Sequence, residues 1–278
     1  MEMMQGDGGH IKEHREYFRE VLLKIKDILD EQYGVENVTI RPLGAGGARL
    51  SIPIKIEGVG KEGKPVKYFG KIVGSTDLMT SRTIQFFKNV YLQLNDLEPI
   101  FKIADSPEEM VKNLYTMSNA MDRLGIPTAK PLGYQPIDDH LWLIVTEFLN
   151  ARPMVQKDEL NAAYMDTVFG YLKKMHVNGI FHGDLKPENV MIGDEVYIID
   201  VGHFIETAPS AKKQAYDVAS EMSCFVEYVA PEEIVRIAKR HYNKNDLRLA
   251  AAFLDLVQRR PDIYLSDENK ENLLRLLK

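Results

Sequence analysis

Hydrophobic residues recur at helical spacing in the first part of the chain. Between His10 and Tyr33 the opposite face is filled by charged residues, and the segment is followed by Gly34. The apolar positions are Ile11, Phe18, Leu22, Ile25, Ile28 and Leu29. This pattern predicts an amphipathic helix that ends close to Gly34.

An alternating pattern of apolar and polar residues follows the predicted helix. The segment VENVTIRPLGAGGARLSIPIKIEG (35–58) has this rhythm on both sides of a glycine cluster. Next, GVGKEGKP (58–65) is typical of a hairpin turn, and VKYFGKIVG (66–74) of another strand. Three consecutive strands predict an antiparallel sheet.

Helical patterns become more frequent towards the C-terminal end. Helices are predicted over 81–95 and from Pro107 to Leu124, the latter capped by Ser106 with Glu109 three residues on. The segment 129–149 predicts two strands around a turn, 161–176 a helix, and the chain from Ala211 onward three or four helices. This order predicts an α+β fold: an N-terminal extension (1–37), a sheet lobe (38–148) and a helical lobe (149–278).

Composition narrows the class of protein. Hydrophobic residues make up 45% and charged residues 27%, which is typical of a soluble globular protein. The net charge of −6 argues against general nucleic-acid binding. No apolar run is long enough to span a membrane, and no signal peptide is recognisable, so we expect a cytoplasmic protein. The single cysteine, Cys224, excludes an intrachain disulfide and any cysteine-rich zinc pattern.

The stretch FHGDLKPENVMIGDEVYIIDVGHF (181–204) carries the candidate chemistry. Phosphoryl transfer from ATP needs a glycine turn near the phosphates, a lysine that neutralises them, oxygen ligands for Mg²⁺ and a carboxylate that accepts a proton. These residue types occur in that order along the chain, from LGAGGARL (43–50) through YFGKIV (68–73) to HGDLKPEN (182–189) and IIDVG (198–202).

HGDLKPEN resembles the catalytic loop of protein kinases, with Gly183 in the place where most have Arg. DVG (200–202) resembles their Asp-Phe-Gly motif, and IVTEFL (144–149) resembles their fifth strand and hinge. The resemblance runs in order over about residues 38–220. It implies a bilobal protein-kinase-like fold, with a small antiparallel sheet lobe, a helical lobe and an ATP cleft between them.

The resemblance also implies roles for individual residues. Asp184 corresponds to the catalytic base and Lys186 to the contact with the γ-phosphate, while Asn189 and Asp200 correspond to the Mg²⁺ ligands. The expected ATP contacts are Gly44, Gly46, Lys71, Thr146, and the backbones of Glu147 and Leu149. His182 is expected to brace the loop.

Two departures separate this chain from most protein kinases. At the helical position of the glutamate that usually pairs with the strand lysine, the chain has NLY (113–115), which leaves Glu109 as a poor first guess for the partner of Lys71. Only a short segment separates Asp200 from Asp217. A segment this short is similar to that of aminoglycoside and choline phosphotransferases and of RIO-type kinases. Lys186, however, resembles the residue found in protein kinases more than that of the aminoglycoside group.

The sequence therefore predicts an ATP- and Mg²⁺-dependent phosphotransferase. The acceptor is expected to be a hydroxyl of a small molecule or of an atypical substrate. An atypical serine/threonine protein kinase is the first alternative, and a nucleotide-binding pseudokinase scaffold is the second. The helices at 10–33 and 81–95 have no assigned role and could contact a protein partner.

Overall fold

The computed structural model describes residues 7–43, 51–154 and 162–278, with side chains from residue 16 onward. The first half contains a five-stranded antiparallel sheet in the order β1-β2-β3-β5-β4. Its strands are β1 (Glu36–Pro42), β2 (Ile52–Val59), β3 (Pro65–Gly74), β4 (Pro131–Pro136) and β5 (Leu141–Glu147). The three predicted strands and the later strand pair are confirmed, and β1 begins two residues before the predicted start of the sheet lobe.

The predicted N-terminal helix is present as α1 (Asp7–Tyr33) and packs against the sheet. Its residues Val21, Ile25 and Leu29 are buried in one cluster with Ile54 and Leu143 of the sheet. Gly34 follows with a φ of 63°, a left-handed conformation that glycine adopts without strain and that often ends a helix. The amphipathic face of α1 thus completes the core of this lobe.

Two helices, α2 (Ser75–Leu94) and α3 (Pro107–Arg123), connect β3 to β4. The prediction that the first begins at residue 81 was wrong, because it starts directly after the strand. The Asp77 carboxylate accepts a hydrogen bond of 2.6 Å from the Gly74 N–H and caps the new helix. The cap predicted for α3 is confirmed, since Ser106 Oγ accepts from the Glu109 N–H at 3.1 Å.

The second half is helical apart from a small sheet of β6 (Arg152–Pro153), β7 (Val190–Ile192) and β8 (Val196–Ile198). Its helices are α4 (Ala162–Val177), α5 (Ser210–Phe225), α6 (Pro231–His241), α7 (Lys244–Ala251), α8 (Leu254–Gln258) and α9 (Asp267–Leu277). Five helices therefore follow residue 209, where three or four were predicted. Pro231, the Asn243 cap and the Ser266 cap each begin a new helix after a short turn.

The chain has the predicted α+β architecture, in which a sheet lobe is followed by a helical lobe. A large buried cluster fills the helical lobe and includes Phe169, Tyr216 and Phe225. No helix in the described ranges combines the length and apolar character needed to cross a membrane. The lobes meet where β3 and the α2–α3 connection face the segments after β8, and the candidate site lies there.

Candidate functional site

The loop between α4 and β7 is held by a buried carboxylate from α5. Asp217 is fully buried and accepts hydrogen bonds from the N–H groups of His182 (2.7 Å) and Gly183 (2.8 Å). Nε2 of His176 lies 3.1 Å from the same carboxylate, and the Tyr242 hydroxyl lies 3.0 Å from Nδ1 of that ring. This network provides hydrogen-bond acceptors for the backbone N–H groups of the loop. It thereby fixes the direction in which the next residue, Asp184, points.

A second set of backbone contacts joins this loop to the segment after β8. The Ile199 N–H donates to the Asn189 carbonyl at 3.0 Å, and the Gly202 N–H donates to the His182 carbonyl at 2.6 Å. A Cβ on Gly202 would lie 3.0 Å from that of Asp184, a tighter contact than Cβ atoms normally make, so the missing side chain eases this close approach. The two motifs found in the sequence are therefore packed against each other.

Asp200 lies at the point where the chain leaves β8. Its backbone has a φ of 57°, which is uncommon outside glycine and is found preferentially at functional sites. The Lys71 ammonium on β3 donates to its carboxylate at 2.9 Å. Burial acts to raise the pKa of Asp200, but Lys71 outweighs it and the pKa is lowered. Asp200 is therefore an anion at neutral pH, the form in which a carboxylate binds a cation.

Asp200 is the acidic partner of Lys71 in the described residues, and Glu109 is not. Glu109 instead pairs with Lys102 and accepts from the Asp105 N–H at 2.7 Å. Asn113 of α3 belongs to the NLY segment at the position of the usual kinase glutamate, and its amide donates to the Gly202 carbonyl at 3.1 Å. An amide suits a carbonyl acceptor, whereas a carboxylate there would face an oxygen.

Asn189 is oriented by its neighbour in the loop. Its Nδ2 donates to the Asp184 carbonyl at 2.9 Å, which leaves the amide oxygen for another partner. An amide oxygen and an ionised carboxylate are hard donors of the kind that Mg²⁺ takes together with phosphate oxygens. The described residues contain no cluster of three or more His, Cys, Asp or Glu side chains that could hold a metal alone. The donor set of Asn189 and Asp200 thus fits a metal shared with a nucleotide.

Asp184 is surrounded by charged side chains that come mostly from outside the loop. Its Oδ1 accepts a hydrogen bond of 2.9 Å from Arg260, and Lys186 Nζ lies 3.6 Å from its Oδ2. The Asp262 carboxylate accepts two hydrogen bonds from Arg260 and lies 3.4 Å from the Lys186 ammonium. Arg260 and Asp262 were not among the predicted site residues, because they lie some 76 residues beyond Asp184 in a segment without a recognisable motif.

The predicted adenine-side residues lie at the end of β5. Thr146 is buried, and its hydroxyl donates to the Glu147 carbonyl at 3.1 Å. The Glu147 N–H donates to the Lys130 carbonyl at 2.9 Å. Leu149 follows in irregular structure two residues later. Gly44 and Gly46 lie outside the described residues.

His182 has the bracing position expected from the sequence. It is fully buried, its Nε2 lies 3.0 Å from the Ile199 carbonyl, and its Nδ1 accepts from the Asp184 N–H at 3.2 Å. Burial lowers its pKa, so the ring is neutral and acts as one donor and one acceptor. It links the loop to the segment after β8, next to Asp200.

Comparisons with known proteins agree with this geometry. The family model of the protein kinase domain matches residues 137–271. This range includes Asp200 and the HGDLKPEN loop (182–189), called the catalytic-type loop below. The RIO-type serine/threonine-protein kinase Rio1 of Thermoplasma acidophilum is 23% identical over 126 residues. That alignment covers 44% of this chain and 60% of Rio1, so the chain matches less than two thirds of this curated relative.

Solved structures with similarity to this chain include two kinases. The PknI kinase domain of Mycobacterium tuberculosis has a TM-score of 0.44 at 15% identity, covering 88% of this chain and 97% of that one. A proposed fructosamine-3-kinase of Haemophilus somnus 129PT has a TM-score of 0.49 at 12% identity, covering 94% and 99%. The matched family model, together with the loop, strand and helix arrangement described above, supports membership of the protein-kinase-like superfamily.

Proposed function

We propose that this protein transfers the γ-phosphoryl group of ATP, with Mg²⁺, to a hydroxyl acceptor. One observation carries the proposal: four side chains of the kind that phosphoryl transfer requires converge between the lobes. Lys71 lies 2.9 Å from Asp200, and Asn189 donates to the carbonyl of Asp184 at 2.9 Å. Positioning and charge are the main demands of this reaction, and these residues meet both.

In this proposal Asp184 is the general base. As the acceptor oxygen bonds to the γ-phosphorus, the bond from that phosphorus to the β–γ bridging oxygen breaks, and the hydroxyl proton passes to the Asp184 carboxylate. Lys186 and Lys71 supply positive charge to the γ-phosphate and to the α- and β-phosphates. Asn189 and Asp200 would hold Mg²⁺, which when bound neutralises phosphate oxygens.

A short segment after Asp200 supports a small or atypical acceptor. Only residues 201–209 separate Asp200 from α5, which is too few to build an extended platform for a peptide. A pocket of about 490 Å³ adjoins the catalytic-type loop and is lined by Pro187, Glu188, Glu227, Arg260, Asp262 and Tyr264, among others. Arg260, one of its lining residues, donates a hydrogen bond of 2.9 Å to Asp184.

An atypical serine/threonine protein kinase is the second candidate. The alignment with Rio1, which is described as a serine/threonine-protein kinase, favours it. Both candidates share the base, the metal ligands and the phosphate contacts and differ only in the acceptor.

The test is ADP release from ATP and Mg²⁺, first with water as acceptor and then with added hydroxyl compounds and a serine-containing protein. Asp184→Asn should lower turnover by about 10²- to 10⁴-fold, the scale of a lost general base, with nearly unchanged ATP affinity. Asp194→Asn, on the exposed turn between β7 and β8, is the matched control and should keep wild-type turnover.

The outcomes separate the alternatives. Stimulation of ADP release by a small alcohol supports the small-molecule acceptor, and labelling of the added protein supports the protein kinase. ATP binding without turnover in the wild-type protein would contradict the proposal and point to a pseudokinase scaffold.

A further inference from the structure

Arg260 is a buried cation, and each of its three guanidinium nitrogen atoms donates at least one hydrogen bond. Its side chain is 3% exposed. Nε and Nη2 each donate to Asp262 at 2.9 Å, Nη1 donates to the Tyr216 hydroxyl at 3.0 Å, and Nη2 also donates to Asp184 Oδ1 at 2.9 Å. A guanidinium held at three points by a carboxylate and a buried hydroxyl has one fixed orientation. The bond to Asp184 is therefore made from a rigid support.

The base of this support is a hydrophobic part of the helical lobe. Tyr216 is fully buried on α5, and its ring makes edge contacts with Phe101, Phe204 and Phe253. The position of its hydroxyl is set by this packing. Because that hydroxyl accepts from Arg260, the aromatic core fixes the guanidinium and, through it, the carboxylate of Asp184.

Four charges form a closed ring at this place. Arg260 links Asp184 to Asp262, and Lys186 lies 3.4 Å from Asp262 and 3.6 Å from Asp184 Oδ2. Two cations and two anions balance each other. Burial acts to lower the pKa of Lys186, but Asp184 and Asp262 outweigh it and the pKa is raised. The lysine therefore stays charged where it would meet a phosphate.

We propose that Arg260 and Asp262 are positioning residues of the catalytic site, supplied by the turn after α8. Arg260 holds the carboxylate of Asp184, and Asp262 holds both Arg260 and the ammonium of Lys186. This inference rests on the proposed phosphotransfer function. It assigns the C-terminal turn to the reaction, although the sequence motifs of the site end at residue 202.

The arrangement also distinguishes the two oxygens of Asp184. Oδ1 is bonded to Arg260, whereas Oδ2 has no hydrogen-bond donor within bonding distance in the described part of the chain, because the 3.6 Å to Lys186 is too long. Oδ2 is thus the oxygen that receives the proton of the acceptor hydroxyl.

The test compares Arg260→Met and Arg260→Lys with the neighbouring control Arg259→Met, whose side chain is exposed and lies over the Tyr91 ring. ADP release from ATP and Mg²⁺ gives kcat and the KM for ATP, and crystal structures of wild type and Arg260→Met give the orientation of Asp184. Arg260→Met should lower kcat by about 10- to 100-fold, the scale of a misoriented catalytic group, with little change in KM. Arg260→Lys should recover part of the loss, and Arg259→Met should match wild type.

Asp262→Asn is the companion variant. It removes the charge that holds Arg260 and Lys186 but leaves the contact between Arg260 and Asp184 possible. Its kcat should fall less than that of Arg260→Met, again with KM for ATP nearly unchanged.

Wild-type kcat in Arg260→Met would overturn the proposal. A loss of kcat accompanied by loss of the thermal stabilisation that ATP and Mg²⁺ give would also overturn it, since that indicates impaired nucleotide binding and not a misoriented Asp184. If Arg260→Met does not fold, the test rests on Arg260→Lys, because a single ammonium cannot make all the hydrogen bonds of the guanidinium. Wild-type kcat in Arg260→Lys would then overturn the proposal. If wild-type protein releases no more ADP than Asp184→Asn, the proposed function fails. The crystal structures still test the positioning role of Arg260 on their own. An unmoved Asp184 side chain in Arg260→Met refutes that role, and a reoriented one supports it.

Discussion

The ammonium of Lys71 and the carboxylate of Asp200 form an ion pair of 2.9 Å that joins the two lobes. Both groups are expected to meet the nucleotide, one through phosphate and one through metal. ATP should therefore raise the melting temperature more with Mg²⁺ than with EDTA. Asp200→Asn should remove most of that difference, because the amide is a weaker metal ligand and has no charge.

A thermal-shift titration with Asp194→Asn as matched control measures this effect, since Asp194 is an exposed turn residue far from the pair. An equal shift with Mg²⁺ and with EDTA in the wild-type protein would show that Asp200 does not hold a metal.

Activity should not depend on phosphorylation of the segment after Asp200. The segment is already fixed: Phe204 pairs with Phe101, and the Ile205 N–H donates to the Ile100 carbonyl at 2.8 Å. Asn89 of α2 holds Phe101 through two hydrogen bonds, of 2.7 and 3.0 Å. A phosphate gains stabilisation only where a cation is free to meet it.

The nearby cations are already engaged. Lys212 pairs with Glu98 at 2.8 Å, and Lys213 donates to the carbonyls of Ile205 and Glu206. Thr207 and Ser210 are exposed candidates, whereas Tyr216 is fully buried. Combined Thr207→Ala and Ser210→Ala, or phosphatase treatment, should leave ADP release within a few fold of wild type. Loss on phosphatase treatment and recovery on rephosphorylation would refute this.

Gly183 should resist substitution for two reasons that can be separated. Its φ is 75°, and a Cβ would lie 3.1 Å from the Phe204 ring. Gly179 has a φ of 73° with nothing within 4 Å of a Cβ, so Gly179→Ala measures backbone strain alone. We expect about 1–2 kcal/mol of lost stability for Gly179→Ala and more for Gly183→Ala in urea denaturation. Equal losses would show that the Phe204 contact costs nothing.

The buried carboxyl of Glu221 should make stability depend on pH. Neither of its oxygens has a hydrogen-bond partner in the described residues, and burial, together with Asp217, raises its pKa to about 8. Between its ordinary pKa of 4.5 and about 8, the unfolded chain has lost the proton that the folded protein keeps. Stability attributable to this group therefore falls as pH rises through that window.

Glu221→Gln removes this titration while nearly preserving shape. The free energy of unfolding of the variant should gain on wild type by about 1.4 kcal/mol per pH unit between pH 5 and 8. Denaturation curves at several pH values measure the gain. Parallel pH profiles for the two proteins would show that Glu221 does not titrate in this range.

Local patterns predicted much of the fold and part of the site. The strands around Lys71 and the cap at Ser106 follow from alternation and side-chain chemistry within a few residues. The start of α2 was missed because Gly74 and Asp77 form the helix cap directly at the end of β3, with no loop between strand and helix. The loss of the usual glutamate in α3 was visible in the sequence, but the replacement contact of Asn113 was not.

The residues that could not be predicted are far from the motifs in sequence and reach the site only through tertiary packing. Arg260 reaches Asp184 only because α5, α8 and the catalytic-type loop pack together, and a buried arginine on an irregular turn resembles any exposed one in sequence. Its signal would have to come from a pattern of paired changes among related chains. Physical packing, not a motif, brings the Arg260–Asp262 turn to the site.

Asp217 holds the catalytic-type loop through backbone N–H groups, which every residue except proline presents. This anchor is thus independent of which side chains occupy positions 182 and 183. Gly183 can replace the usual arginine without releasing the loop. The residue identities of such a motif can therefore change while the backbone geometry is kept. Distant relatives are better recognised by the anchoring aspartate and the path of the backbone than by the residues of the motif.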